Sequence, residues 1–433
     1  MAVSFALLAS SAILRAQAPP ETVALTHVTV IDGTGAAPMA DATVLIRGGR
    51  VTAVYPSASR QPPSGARVED LAGKWVIPGL IDAHVHLTEG TGDVARNREP
   101  LTRLLLAGVT GLRDMAGDAR VLGYLAREAR LEAPGWPDIY YSALMAGPTF
   151  FYEDPRTPGS SRGLLLGSAP WMRAVDRTTD IRMAVAEAKG TGATGVKLYA
   201  NLPAALVKEI AAEAHRQGLL VWTHATVFPA KPSDAVAAGA DTVSHTAYLV
   251  WEAAPRVPVD YQMRAFGDFT HIRPDDPKIV ALLELMKEHG TILDATLSVG
   301  ARLAAQSPDA LGKGWVAWSE AVTRAAHRAG VLVDAGTDSA GLTGSGADAS
   351  PAVVDEMVLL IEQCGFTPAE AIQAATQVSA MAVGQSADRG TIAHGMAADL
   401  VVLSADPIAD VRNVRKIVEV MKDGRVFRPG QKP

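Results

Sequence analysis

Cysteine is nearly absent: the 433 residues contain one, Cys364. That excludes an internal disulfide framework and any cysteine cluster for metal. Blocks of one charge sign are missing too. The formal net charge of −6 is dispersed without a long basic or acidic run, so neither nucleic acid nor an anionic membrane surface is an expected partner. Past the N-terminus nothing resembles a membrane span. No G-x-G-x-x-G or phosphate loop follows any strand-like segment, which argues against a dinucleotide-binding open sheet. What remains is ordinary for a soluble enzyme with a sizeable core, at 48% hydrophobic and 20% charged. The length allows two or three average domains, or one large barrel with an appendage.

Residues 2–14 are mostly apolar and small, and Arg15 leads into Ala16-Gln17-Ala18. This resembles the apolar region and cleavage site of a secretory signal. No Lys or Arg precedes the run, and Pro19 would follow the cut. The expectation is a signal over 1–18 and a periplasmic or secreted protein, with the cytoplasm as the alternative.

Both ends of the chain are β-rich. Thr26-His27-Val28-Thr29-Val30 and Ala42-Thr43-Val44-Leu45-Ile46 near the start match Asp399-Leu400-Val401-Val402-Leu403 and Ile417-Val418-Glu419-Val420-Met421 near the finish. One composite β-sandwich domain from 19–77 and 390–433 is expected, with 78–389 inserted into it. The insert alternates strand and helix. Strand-like runs end near His86 and span 108–114, 139–144, 195–199, 219–224, 242–245, 292–296 and 331–338. Helical patterns cover 204–217, 277–289 and 321–329, the second opening on Asp276 as cap and Pro277. Eight strands with intervening helices predict an α/β fold, a closed (β/α)8 TIM barrel, which builds its active site at the strand C-termini.

Polar groups gather at those C-termini. Val-Ile-Pro-Gly-Leu-Ile-Asp-Ala-His-Val-His ends in His84 and His86; residues two apart on a strand share a face, so the pair can hold one metal ion. Lys197 lies in the fourth run, His224 closes the fifth, His245 closes the sixth, and Asp338 falls in the eighth. Singly each has a bland reading: a strand-end lysine snorkels to water, a histidine is hydrogen-bonded in a core, an aspartate caps a helix. Together, the order His-x-His, Lys, His, His, Asp is far more specific. His27, His215, His271, His289, His327 and His394 lack this placement and read as structural or solvated.

At this point the chain resembles the amidohydrolase superfamily, over nearly its whole length. The resemblance is carried by Pro-Gly-Leu-Ile-Asp-Ala-His-Val-His (78–86), Gly-Val-Thr-Gly-Leu-Arg-Asp (108–114), Gly-Val-Lys-Leu-Tyr-Ala (195–200), Ala-Gly-Ala-Asp-Thr-Val-Ser-His (238–245), Gly-Thr-Asp-Ser (336–339) and the return to strands over 390–403. Its nearest branch is similar to imidazolonepropionase-like and prolidase-like enzymes. The resemblance implies two divalent metal ions, usually Zn2+. His84, His86 and Asp338 would hold the buried ion, His224 and His245 the exposed one, and an N6-carboxylated Lys197 would bridge them. It also implies hydrolysis by a metal-bridging hydroxide with Asp338 as general base and acid. Deaminases of the superfamily generally use one metal and carry a glutamate shortly after the fifth-strand histidine; here Lys197 is present and Ala225-Thr226-Val227 follow His224.

The expected activity is cleavage of a linear amide in a small molecule, such as an N-acyl amino acid or dipeptide. A cyclic amide or lactone is the alternative, and a non-catalytic relative ranks last because no ligand is missing. Tyr199 and Tyr248 are candidate carbonyl partners. Two long loops, 147–168 and 250–274, bring aromatics and arginines, among them Arg162, Arg256 and Arg264 as candidates for a substrate carboxylate. Residues 341–350 are small and complete the rim. Whether the protein is a homo-oligomer stays open.

Overall fold

The computed structural model describes residues 21–88, 93–132, 135–306, 314–344 and 350–430. The segment expected to act as a signal lies outside them. Five strands open the chain: β1 (Thr22–Val30), β2 (Met39–Arg47), β3 (Arg50–Pro56), β4 (Arg67–Asp70) and β5 (Trp75–Pro78). A single residue, Gly79, separates β5 from the inserted barrel.

The barrel strands are β6 (Leu80–Val85), β7 (Val109–Asp114), β8 (Asp138–Ala146), β9 (Gly195–Leu198), β10 (Leu220–His224), β11 (Thr242–Ser244), β12 (Ile292–Asp294) and β13 (Val333–Asp334). Each pairs in parallel with the next. Ala83 N donates to Ala335 O at 3.1 Å and His86 N to Ser339 O at 2.8 Å, which joins the eighth strand to the first. The result is the expected (β/α)8 barrel. Its strands are buried on both faces, hence the continuous apolar runs in place of an alternating pattern.

Helices Val94–Leu106, Ala119–Arg127, Ile181–Gly190, Ala204–Arg216, Pro232–Ala237, Pro277–His289, Trp315–Ala329 and Ala352–Cys364 follow the strands in turn. Their starts are chemically marked. Asp93, Asp118, Asp180 and Asp276 each accept a hydrogen bond from a first-turn N–H, an arrangement worth about 1 kcal/mol per cap. The helix expected over 321–329 begins six residues earlier, at Trp315.

The chain then returns with β14 (Leu400–Leu403), β15 (Ile417–Lys422) and β16 (Arg425–Phe427). These complete an eight-stranded sheet in the order β16-β15-β14-β5-β1-β2-β3, with β4 also paired to β1. Both chain ends therefore build one β unit, as expected, in the form of a sheet branched at β1. Val28, Val44, Ile46, Val76, Leu400 and Val402 fill its own apolar core. Among the described residues no helix is long and apolar enough to cross a membrane.

Candidate metal centre

The six residues singled out in the sequence lie at the C-terminal mouth of the barrel or within its lining. His84 is on β6, with its ring centre 5.4 Å from that of His86 just beyond the strand end. Asp338 faces them from the loop after β13. Its Oδ1 is 3.1 Å from His86 Nε2 and 3.7 Å from His84 Nε2, and its Oδ2 is 3.9 Å from His245 Nδ1. Ligand atoms of His84, His245 and Asp338 all fall within 4.8 Å of one another. His224, the last residue of β10, extends the group, with ring centres 4.8 Å apart between it and His245. Lys197 on β9 is fully buried, and its Nζ donates to Ser244 Oγ at 3.1 Å.

The backbone bends sharply to present these groups. His245, Thr296 and Asp338 all adopt positive φ, at 72°, 51° and 48°. Such conformations cost of order 1–3 kcal/mol for non-glycine residues and cluster at functional sites. Gly336 has a different reason to lack a side chain: a Cβ there would stand 2.2 Å from Asp294 Oδ1.

Each imidazole is gripped at one nitrogen. Asp294 Oδ2 lies 2.6 Å from His84 Nδ1, Ala116 O lies 3.3 Å from His86 Nδ1, Thr226 O lies 3.0 Å from His224 Nδ1, and Thr296 Oγ1 lies 2.9 Å from His245 Nδ1. With Nδ1 occupied in all four, Nε2 is the nitrogen left for an ion, which is how metal-binding histidines are held. Asp294 Oδ2 also accepts from Ser244 Oγ at 2.8 Å and from Arg113 Nη2 at 3.1 Å. Glu356 supports the next loop, accepting from the N–H groups of Leu297 and Ser298 at 2.8 and 2.7 Å.

Electrostatics follow from burial. Desolvation pushes the Lys197 amine down to about 7 and holds His224 and His245 well below the ordinary imidazole value. Burial acts to raise the Asp338 carboxyl, but the hydrogen bond from His86 and the neighbouring His84 and His245 together hold it well below the usual range. The centre thus shifts the Lys197 amine and the His224 and His245 imidazoles toward their neutral forms and keeps the Asp338 carboxylate ionised, the direction that metal ligation requires.

A cavity of about 460 Å³ opens over His224, His245 and Asp338. Tyr199, Tyr248, Tyr261 and Trp315 line it, together with Arg156, Arg264 and the aliphatic side chains of Leu297, Val299 and Leu303. The hydroxyls of Tyr199 and Tyr261 are 2.8 Å apart.

Both candidate tyrosines therefore reach the cavity, and of the three candidate arginines only Arg264 does. Arg162 and Arg256 are exposed and absent from its wall. Of the small rim segment, 345–349 lies outside the described residues. The other histidines sit apart: His27 pairs with Asp41, His215 with Asp241 and His271 with Asp268, while His327 stacks on Phe366.

Sequence reasoning missed Asp294, Thr296, Arg113, Glu356 and Arg156, while Tyr261, among the aromatics of the 250–274 loop expected to wall a pocket, does line the cavity. Asp294 had a usable signal, since it closes the seventh strand as His224 closes the fifth. Glu356, inside a helix, had none.

With this barrel, and histidines, lysine and aspartate at its strand ends, the chain belongs to the amidohydrolase family, whose model matches residues 75–427. Particular relatives differ in what they do. The chain is 26% identical over 418 residues to an ochratoxinase of Aspergillus niger, covering 83% of this chain and 77% of that protein. It is 27% identical over 407 residues to an imidazolonepropionase of Streptomyces griseus subsp. griseus, covering 89% and 93%. Among solved structures, a Xaa-Pro dipeptidase with methionine bound in its active site shares the fold, with a TM-score of 0.73, 19% identity, and coverage of 94% and 100%.

Proposed function

We propose that the barrel, taken as 78–389, is a metal-dependent hydrolase that cleaves a linear amide bond in a small substrate, an N-acyl amino acid or a dipeptide. His84, His86 and Asp338 would hold one divalent ion and His224 and His245 a second. Lys197, carboxylated on its side-chain nitrogen, would lie between them. The donor set fits such ions. Imidazole and carboxylate without thiolate suit zinc, manganese or cobalt, and a lysine poised near 7 has neutral amine available to react with carbon dioxide.

Two divalent ions bound there would supply Lewis acidity and a water acidic enough to act as a nucleophile near neutral pH. The rest falls to the chain's own groups. Asp338, ionised and facing both the histidines and the cavity, accepts the proton of the attacking water and passes it to the departing nitrogen. Tyr199 and Tyr248 stand on the cavity wall, where a hydroxyl can donate to the substrate carbonyl. The aromatic and aliphatic lining places apolar surface beside the reacting groups.

One observation carries this reading: three imidazoles converge on Asp338 within 3.1 to 3.9 Å beneath the cavity. The name of the Xaa-Pro dipeptidase neighbour favours a linear amide; that of the imidazolonepropionase relative favours a ring. A zinc-loaded preparation tested on acyl amino acids, dipeptides, lactones and imidazolones separates them. Release of free amino acid from the first two classes is expected. Preference for a lactone or ring substrate would overturn the proposal.

A further inference from the structure

The two guanidinium groups of the cavity wall stand in different states. Arg156 has its countercharge built in: Nε and Nη2 meet the two oxygens of Asp154 at 2.8 and 2.6 Å, and Nη2 also reaches the Tyr199 hydroxyl at 2.9 Å. Arg264 has no carboxylate partner among the described residues. It lies 4.2 Å from the ring centre of Tyr261, reaches the Gln262 side chain at 3.3 Å, and shares the cavity wall with Tyr248. The other acid on the wall, Glu320, has Arg324 as its neighbouring positive charge.

Stacking on an aromatic ring fixes the plane of a guanidinium while leaving its N–H edges open, the state in which arginine takes a carboxylate with two parallel hydrogen bonds. The position matters as much as the charge. The Tyr261 ring that carries Arg264 is 5.5 Å from the ring of His224, so Arg264 stands one aromatic ring away from the proposed reaction centre. The wall also offers Leu297, Val299, Leu303 and Trp315, an apolar surface for a side chain or acyl group.

We infer that Arg264 binds the carboxylate of the substrate's amine half. The substrate class is then narrower than small amides in general. It comprises N-acyl amino acids and peptides with a free C-terminal carboxylate, and it leaves out neutral amides and uncharged rings. The location of the bond to be cut rests on the hydrolase reading above; the anion site itself does not.

The test uses a ligand that cannot be hydrolysed. In the ketomethylene analogue of N-benzoyl-phenylalanine a methylene replaces the amide NH, and its primary amide serves as the uncharged control. Calorimetry on metal-loaded protein should show the acid binding at least about tenfold tighter than the amide, the scale of a lost charge-assisted hydrogen bond. Arg264→Gln should remove that difference at an unchanged melting temperature, and Arg264→Lys should keep part of it. Equal binding of acid and amide by the wild type, no binding of either, or an acid preference that survives in Arg264→Gln would overturn the inference. Turnover of N-benzoyl-phenylalanine separates the two proposals. Selective binding of the acid analogue without any cleavage sinks the hydrolase reading and leaves the anion site. Cleavage without charge preference does the reverse.

Discussion

Two buried polar clusters occupy opposite ends of the same barrel, and they are built on different terms. At the junction with the branched sheet, Arg389 Nη1 meets Asp138 Oδ2 at 2.5 Å and Asp399 Oδ2 at 2.7 Å, while Lys422 Nζ meets Asp138 Oδ1 at 3.1 Å. Every carboxylate there has a protein cation, and the cluster ties the start of β8 to β14 and β15. At the mouth, three imidazoles crowd round Asp338 with that of His224 beside His245, and the buried amine of Lys197 donates to a hydroxyl rather than to a carboxylate. A cluster closed on itself holds two units together. The mouth has Nδ1 atoms held by Asp294, Thr226 and Thr296, and ligand atoms of His84, His245 and Asp338 within 4.8 Å of one another, a group that could hold a metal ion. Burial alone does not mark a functional site; the convergence of ligand atoms does.

That contrast predicts separable effects. The largest is expected at the mouth. Asp338→Asn keeps a ligand oxygen but cannot shuttle a proton, so turnover should fall by roughly 10² to 10⁴, with metal content largely kept. Near-normal kcat would remove Asp338 from its role. At the junction, Arg389→Met strips buried Asp399 of its paired cation and leaves Asp138 with Lys422. Breaking a buried pair in this way costs about 3–5 kcal/mol, read as a lower melting temperature, while turnover per folded molecule stays unchanged; a parallel loss of kcat would mean that the two ends are coupled.

A smaller effect is expected at Asp294→Asn, which weakens the grip on His84 Nδ1. Metal affinity should drop about 10- to 100-fold, measured by competition with a chelator, and an unaltered affinity would make Asp294 a packing residue. The last concerns pH. Burial, opposed by Arg389, pushes the Asp399 carboxyl up to about 6. A carboxyl raised in the folded state contributes stability that is complete below its unfolded value near 4 and is lost as pH climbs through 6. Wild-type stability should therefore decline across that window by ~3 kcal/mol, and Asp399→Asn should flatten the slope. An identical slope in the variant would assign the decline to other groups.

Much of this was legible in the sequence because barrels convert order along the chain into position. A polar residue ending an apolar strand run can only emerge at the mouth, which is why His84, His224 and His245 were readable one by one. The sheet was legible from the strand-rich ends, but its branching was not: that depends on β1 bonding β2 on one side and both β4 and β5 on the other, a pairing choice no local pattern carries. Arg113 and Glu356 were hidden for a related reason. Each looks like an ordinary charged residue of its segment, and only long-range packing reveals that both are fully buried and bonded to residues far along the chain. Arg264 stood among several loop arginines until the structure showed that it and Arg156 face the cavity.

Elemental analysis of the purified protein beside Lys197→Ala addresses the central claim most directly. Two divalent ions per chain are expected in the wild type, falling to one or fewer when the bridging side chain is removed, with turnover abolished by a chelator and restored by added zinc. A wild type free of metal, or a chelated enzyme working at full rate, would contradict the account.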